Sequence, residues 1–134
     1  MKRGASGINA LIAVDKPLGL TSHDVVSRVR CAFGEKRVGH AGTLDPNASG
    51  VLVVGIGLAT KLLGLLTLDR KGYVADISFG ARTSTDDADG QVVASAAVPE
   101  SLYDEEFARA ACAKLIGTVD QLPPAVSAIS VDGK

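Results

Sequence analysis

The sequence predicts an α+β fold, a mixed and largely antiparallel β-sheet core flanked by helices. Three observations carry that prediction. Apolar runs of strand length outnumber helical stripes, and several of them are joined by hairpin turns. The third is size: 134 residues, 46% of them hydrophobic, suit one domain with a core of its own.

Taken in order, Ile8–Val14 (INALIAV) is an apolar run of strand length, closed by the turn signal Asp15-Lys16-Pro17-Leu18-Gly19. Thr21 or Ser22 caps the next element, a helix whose Val25, Val26, Val29 and Phe33 form an apolar stripe ending at Gly34. Lys36–Gly39 suits a short strand. His40 to Gly50 (HAGTLDPNASG) is a loop of mostly small and turn-forming residues, and Val51–Ile56 reads as a buried strand. A short helix comes next, from Ala59 to about Leu66, weakened by Gly64.

Tyr73–Phe79 alternates, with Tyr73, Ala75, Ile77 and Phe79 on one face and Val74, Asp76 and Ser78 on the other. Asp89-Gly90 offers a hairpin turn into a strand over Gln91–Val98, which Pro99 stops. Asp104, Glu105 and Glu106 then crowd the first turn of a helix, where carboxylates complement the macrodipole. Phe107, Ala111 and Leu115 are its expected buried face and Gly117 its end, after which Gln121-Leu122-Pro123-Pro124 is held extended by its prolines. Repeats and low-complexity tracts are not visible.

Composition excludes several classes. Two cysteines and no tryptophan argue against a disulfide-stapled secreted mini-protein, and the apolar content argues against intrinsic disorder. No apolar run approaches the ~20 residues that span a bilayer. Asn9 and Asp15 interrupt the stretch after the basic Met1-Lys2-Arg3, so no signal peptide is read and a cytoplasmic protein without a membrane partner is expected. The net charge of −1 hides a split: residues 1–72 carry ten Lys/Arg against five Asp/Glu, residues 73–134 four against ten. A basic half suits a polyanionic partner, although a lopsided solvated surface gives the same count.

The 40–50 loop is where chemistry is expected. Pro46 pushes Asp45 toward extended backbone, and flanking strands would hold the loop still. A carboxylate fixed there suits a nucleophile or general base. An Asp-Pro pair among glycines is also ordinary turn chemistry, and the residues alone leave both readings open. Other chemistries fail on spacing. Gly57-Leu58-Ala59-Thr60-Lys61 has the wrong order for a P-loop, and the acidic loop Thr85–Gly90 would place Ala96 where an EF-hand needs its bidentate glutamate. Zinc-ligand spacing is absent, and Cys31 and Cys112 read as core thiols.

Gly39-His40-Ala41-Gly42-Thr43-Leu44-Asp45-Pro46-Asn47-Ala48-Ser49-Gly50-Val51-Leu52, then Gly57-Leu58-Ala59-Thr60-Lys61, closely resembles the catalytic signature of the bacterial tRNA pseudouridine synthase B family. Further blocks agree in order: Asp15-Lys16-Pro17-Leu18-Gly19-Leu20-Thr21-Ser22, Lys71-Gly72-Tyr73, Gly80-Ala81-Arg82-Thr83 through Asp87 and Gly90, and Gln121-Leu122-Pro123-Pro124 with Ser127-Ala128 and Gly133-Lys134. The resemblance spans nearly the whole chain.

That resemblance implies a pseudouridine synthase catalytic fold and isomerisation of the T-loop uridine at position 55 of tRNA, without cofactor or metal. The essential aspartate of the family matches Asp45, within a loop supported by Gly42, Thr43, Leu44 and Pro46. Tyr73 matches the aromatic ring set against the flipped base, and His40 a contact to the extruded region. Lys16 and Pro17 match a supporting loop beneath the site, with Pro17 buttressing Tyr73. Read alone, Tyr73 suits a core tyrosine, His40 a structural loop histidine and Lys16 a solvated turn lysine. Arg28, Arg30, Lys36, Arg37 and Lys61 are candidate phosphate contacts or plain surface charges.

The sequence departs from the family pattern at Ala41, Ser84 and Val126, which touches local hydrogen bonds and not the reaction class. It is expected to be the N-terminal portion of the catalytic domain, lacking a segment whose arginine pairs with the aspartate and a C-terminal RNA-binding module. The full-length protein is expected to be a monomer acting on tRNA without a guide RNA, and the 134-residue piece to be inactive alone. The competing readings are an RNA-guided synthase and a non-catalytic RNA-binding or RNA-folding module on the same scaffold.

Overall fold

A computed structural model describes residues 6–67 and 70–120, so the predicted extended tail from Gln121 onward lies outside the described residues. The chain falls into two compact units, Met1–Tyr73 and Val74–Lys134. The boundary falls beside the point where the charge changes sign.

The first unit is a three-stranded antiparallel sheet covered on one face by a helix. Strand β1 (Ala10–Lys16) leads to helix α1 (Ser22–Phe33), then to β2 (Val38–His40) and β3 (Gly50–Ile56). The spatial order is β1-β3-β2, with β3 in the middle. Register sets Lys16 opposite Gly50, Val14 opposite Leu52, His40 opposite Val54 and Val38 opposite Ile56. Directly opposed residues share a face, so Ile12, Val14, Lys16, Val38, His40, Leu52, Val54 and Ile56 all lie on one side.

That side is the core. Val25, Val26 and Val29 of α1 pack with Val38, Leu52, Val54 and Ile56, and Leu44 of the 41–49 loop joins them. Each buried valine contributes about 1.5–3 kcal/mol relative to exposure. The helix stripe was legible in sequence for Val25, Val26 and Val29, whereas Phe33, its expected fourth member in the last turn, is exposed. The strand Val51–Ile56 was not simply buried, because Val51 is 70% exposed and only alternate residues face α1. A continuous apolar run does not say whether a sheet is covered on one face or two.

Caps fix the ends of α1. Thr21 Oγ1 accepts from Asp24 N at 3.1 Å, and Asp24 Oδ2 accepts from Thr21 N at 2.8 Å, a reciprocal capping box. At the other end Gly34 N–H bonds to the carbonyls of Arg30 and Cys31. Cys31 is exposed, which corrects its expected place in the core; it falls on the face of α1 turned away from the sheet.

After β3 the chain turns at Gly57 into a 3₁₀ segment (Gly57–Leu62) and a short helix α2 (Leu63–Thr67). Gly57 has φ +62° and donates to Arg37 O at 2.8 Å, and a Cβ there would overlap the Ile8 carbonyl and Asn9 Oδ1. Asn9 Oδ1 in turn accepts from Leu58 N at 2.6 Å, capping the 3₁₀ segment from outside. Only glycine meets both demands.

In the second unit β4 (Ala81–Thr83) and β5 (Val92–Ser95) form an antiparallel hairpin with an irregularity between Arg82 and Thr83. Its loop is organised by Asp87, whose Oδ1 accepts from Thr85 Oγ1 at 2.7 Å and Asp89 N at 2.9 Å. A second 3₁₀ segment (Glu100–Tyr103) precedes helix α3 (Glu105–Ala113), capped by Asp104.

Three expectations fail here. Tyr73–Phe79 is irregular and exposed rather than a strand, and β5 pairs with 81–83 instead. Alternation shows which way side chains would point, but a strand also needs a neighbour to bond, and no described strand flanks this segment. Phe107, Ala111 and Leu115 are exposed, α3 has no buried residue, and Leu115 lies past its end. An apolar stripe needs a partner surface, and the described part of this unit supplies none over α3. Cys112, read as a core thiol, is exposed for the same reason.

Candidate active site

One end of the three-stranded sheet gathers the turn after β1, the start of α1 and the 41–49 loop. β2 pairs with β3 only over residues 54–56, and one further bond, Ala41 N to Val53 O at 2.9 Å, continues the ladder. Beyond it the loop leaves the sheet and must find partners elsewhere. It finds them in residues 16–22.

Lys16 begins that support. It is 0% exposed, and its Nζ donates to Pro17 O at 3.1 Å and Leu20 O at 2.7 Å. The ammonium therefore folds the 17–20 turn around itself, which corrects the solvated-lysine reading. Charge-assisted bonds to carbonyls are what allow an ammonium to stay buried.

The turn then grips the loop at two points. Gly19 N donates to Pro46 O at 2.8 Å. Ser22 Oγ donates to Leu44 O at 3.1 Å and accepts from Leu44 N at 2.9 Å. Asp45 thus sits between two anchored residues, with Leu44 also packed on the core. Its own carbonyl accepts from Ala48 N at 3.0 Å, closing the turn through Pro46 and Asn47. The Asp45 side chain is exposed, and among the described residues none donates to its carboxylate.

His40 is half-buried at the end of β2, and its Nδ1 bonds to Gly42 O. A carbonyl only accepts, so Nδ1 is the donor in this contact and Nε2 is the ring nitrogen left for other partners. Gly42 has φ +108°, and a Cβ on it would lie 3.4 Å from Lys71 Cε. The Lys71 chain therefore passes over the loop, its Nζ donating to Thr67 O at 2.9 Å.

The structure ties Leu44 and Pro46, and so the backbone of Asp45, to the 16–22 turn that Lys16 holds, while His40 and Gly42 are bonded to each other where the same loop leaves β2. Thr43 and Pro17 are exposed. Tyr73 is 68% exposed on an irregular segment, so its expected place on a strand's apolar face is not observed. Among the candidate phosphate contacts, Arg30 is committed to backbone: Nε donates to Lys36 O at 3.2 Å and Nη2 to Val38 O at 3.0 Å. Arg28, Lys36, Arg37 and Lys61 are exposed.

Sequence reasoning read Ser22 as an alternative cap to Thr21 and as the end of the Asp15–Ser22 block, and missed its bonds to the Asp45 loop. Thr21 takes the cap and Ser22, 3% exposed, turns to the loop. Electrostatics beside the site are set locally. The Thr21 hydroxyl and then its N–H hold Asp24 below the usual carboxylate value of 3.8, so Asp24 stays ionised at the start of α1.

Comparison with known proteins decides the relationship. A family model described as TruB family pseudouridylate synthase (N terminal domain) matches residues 30–134. The chain belongs to the TruB family.

Named relatives agree. The chain is 56% identical over 124 residues to tRNA pseudouridine synthase B of Mycobacteroides abscessus, covering 92% of this chain and 41% of that protein. It is 54% identical over 131 residues to the protein of the same name from Mycobacterium sp. (strain KMS), covering 98% and 43%. A third, from Rhodococcus jostii, is 56% identical over 124 residues, covering 92% and 40%. The chain spans about two fifths of the length of the curated relatives it matches. The TruB match contains the whole Gly39–Leu52 stretch, and the 131-residue alignment also takes in the Lys16–Ser22 support. No described helix is long and apolar enough to cross a membrane.

Proposed function

We propose that the full-length protein containing this chain is a tRNA pseudouridine synthase that converts the T-loop uridine at position 55, with Asp45 as the catalytic carboxylate. The observation that carries the reading is the Asp45 loop. It lies within the TruB match, its backbone is held on both sides of Asp45, and its carboxylate is exposed with no internal donor among the described residues.

The reaction detaches uracil from the ribose, turns it and rejoins it through carbon, so product and substrate are isomers and the step is redox-neutral. Both fragments must stay captive. A carboxylate suits such chemistry because it can attack or stabilise the electron-poor sugar or base and then leave. Reaching the uridine requires flipping it from a folded loop, at a cost of a few kcal/mol. In this reading Tyr73, which is exposed, stacks on the extruded base and His40 meets neighbouring nucleotides through Nε2, with Lys16 and Pro17 in the supporting turn. The substrate is taken to be tRNA alone, without a guide RNA, and the protein a cytoplasmic monomer.

The 134-residue chain by itself is proposed to be an N-terminal portion of the catalytic domain that is inactive alone. An arginine beside Asp45, as the resemblance implies, would favour the ionised form.

The test is turnover of an unmodified tRNA transcript by the full-length protein and its Asp45→Asn form. Asn keeps the shape and removes the charge. Turnover is expected to vanish while tRNA affinity stays within about twofold. Undiminished turnover would refute the assignment of Asp45, and RNA binding with no turnover by either form would leave a binding module.

A further inference from the structure

We infer that Ser22 is a positioning residue for Asp45, acting through the backbone of Leu44; this rests on the catalytic reading of Asp45 above. A serine hydroxyl has one proton to donate and lone pairs to accept, so both bonds to Leu44 form at once. The two bonded groups belong to different peptide planes. Leu44 N–H lies in the plane before the residue, and Leu44 C=O in the plane that leads into Asp45. Holding both planes fixes the two soft dihedrals of Leu44, and with them the direction from which Asp45 is presented.

The mount is rigid for identifiable reasons. Ser22 is the first residue of α1, and that helix is set by Val25, Val26 and Val29 in the core and by the Thr21–Asp24 cap one residue earlier. The Leu44 side chain is seated on the same core. On the far side, Gly19 N holds Pro46 O at 2.8 Å. Asp45 itself contributes no side-chain bond to the described residues, so its alignment comes from these neighbours. A reacting group held this way is sensitive to its supports, because a displacement of about 1 Å can cost ~100-fold in rate.

Ser22→Ala removes both bonds. Ser22→Thr keeps the hydroxyl, and Ser22→Cys keeps the shape with a weak donor and acceptor. In the full-length protein, Ser22→Ala is expected to lower kcat about 10- to 100-fold with KM for tRNA within about twofold. Ser22→Thr should restore kcat to within about threefold of the parent, with Ser22→Cys between the two. A merely structural role would lower the unfolding midpoint and leave kcat per folded molecule unchanged.

Asp45→Asn is run alongside. If it abolishes turnover while Ser22→Ala keeps a parental kcat, the positioning role is wrong and the catalytic reading stands. If Asp45→Asn turns over normally, the catalytic reading itself fails. Should Ser22→Ala not fold, Ser22→Cys carries the same criterion: a parental kcat overturns the proposal, and a reduced kcat at unchanged KM supports it.

Discussion

Replacing Gly57 by alanine tests the joint between β3 and the 3₁₀ segment after it. Its φ of +62° costs an L-residue about 1–2 kcal/mol. The new Cβ would overlap the Ile8 carbonyl and Asn9 Oδ1, so Asn9 must move and release Leu58 N, now bonded at 2.6 Å. Losing that bond, with a carbonyl displaced beside it, adds about 1–2 kcal/mol. The expected loss is therefore about 2–4 kcal/mol, a large share of a typical total of roughly 5–15 kcal/mol. Gly64 is the internal control. It lies in α2 with nothing within 4 Å of a built Cβ, so Gly64→Ala should be neutral or stabilise by up to about 1 kcal/mol. Equilibrium urea unfolding monitored by far-ultraviolet circular dichroism reads both. A Gly57→Ala midpoint equal to the parent's would mean that the backbone does not pass so close to residues 8 and 9, and the reasoning would fall.

Two further outcomes rest on the same geometry. Glu35, buried at the end of α1, accepts from Arg37 N at 3.0 Å and Ser6 N at 2.9 Å, and these bonds hold it below its usual 4.5; Asp24 and Asp87 are held below 3.8 by hydroxyl and backbone donors. Carboxylates lowered on folding stabilise fully above their unfolded values and lose that contribution as pH falls through the folded ones, so stability should decline from about pH 4.5 downward, less steeply in Glu35→Gln. Urea midpoints measured from about pH 6 to about pH 3 check the sign, and a flat profile would contradict it. Tyr73→Ala should change stability by less than about 0.5 kcal/mol, since the ring is 68% exposed. Turnover on tRNA should nonetheless fall at least tenfold if the ring meets the extruded base, and unchanged kcat/KM would remove it from the site.

Elements that carry their own instructions were legible in the sequence. Thr21, the valine stripe and Gly34 specify α1 locally, and it occupies the expected residues. The strand before it is displaced by two residues, Ala10–Lys16 rather than Ile8–Val14, because Asp15 and Lys16 read as turn residues while their backbones pair with Val51 and Gly50. That shift carries Lys16 onto the core face, which no propensity would indicate for a lysine. The loop around Asp45 stood out through its small residues, but its supports did not. Gly19 and Ser22 meet Pro46 and Leu44 across more than twenty positions of sequence, and nothing in a one-dimensional pattern announces such a meeting. Tyr73–Phe79 and α3 failed for the opposite reason: their patterns describe faces without saying what meets them.

The clasp between the start of α1 and the residue before Asp45 joins positions twenty-two residues apart, so neither half closes it alone. A β2–β3 hairpin cut out of the chain would lose the grip of Ser22 on Leu44 and of Gly19 on Pro46. The geometry of residues 44–46 is therefore a property of the first unit as a whole and not of the loop that contains them.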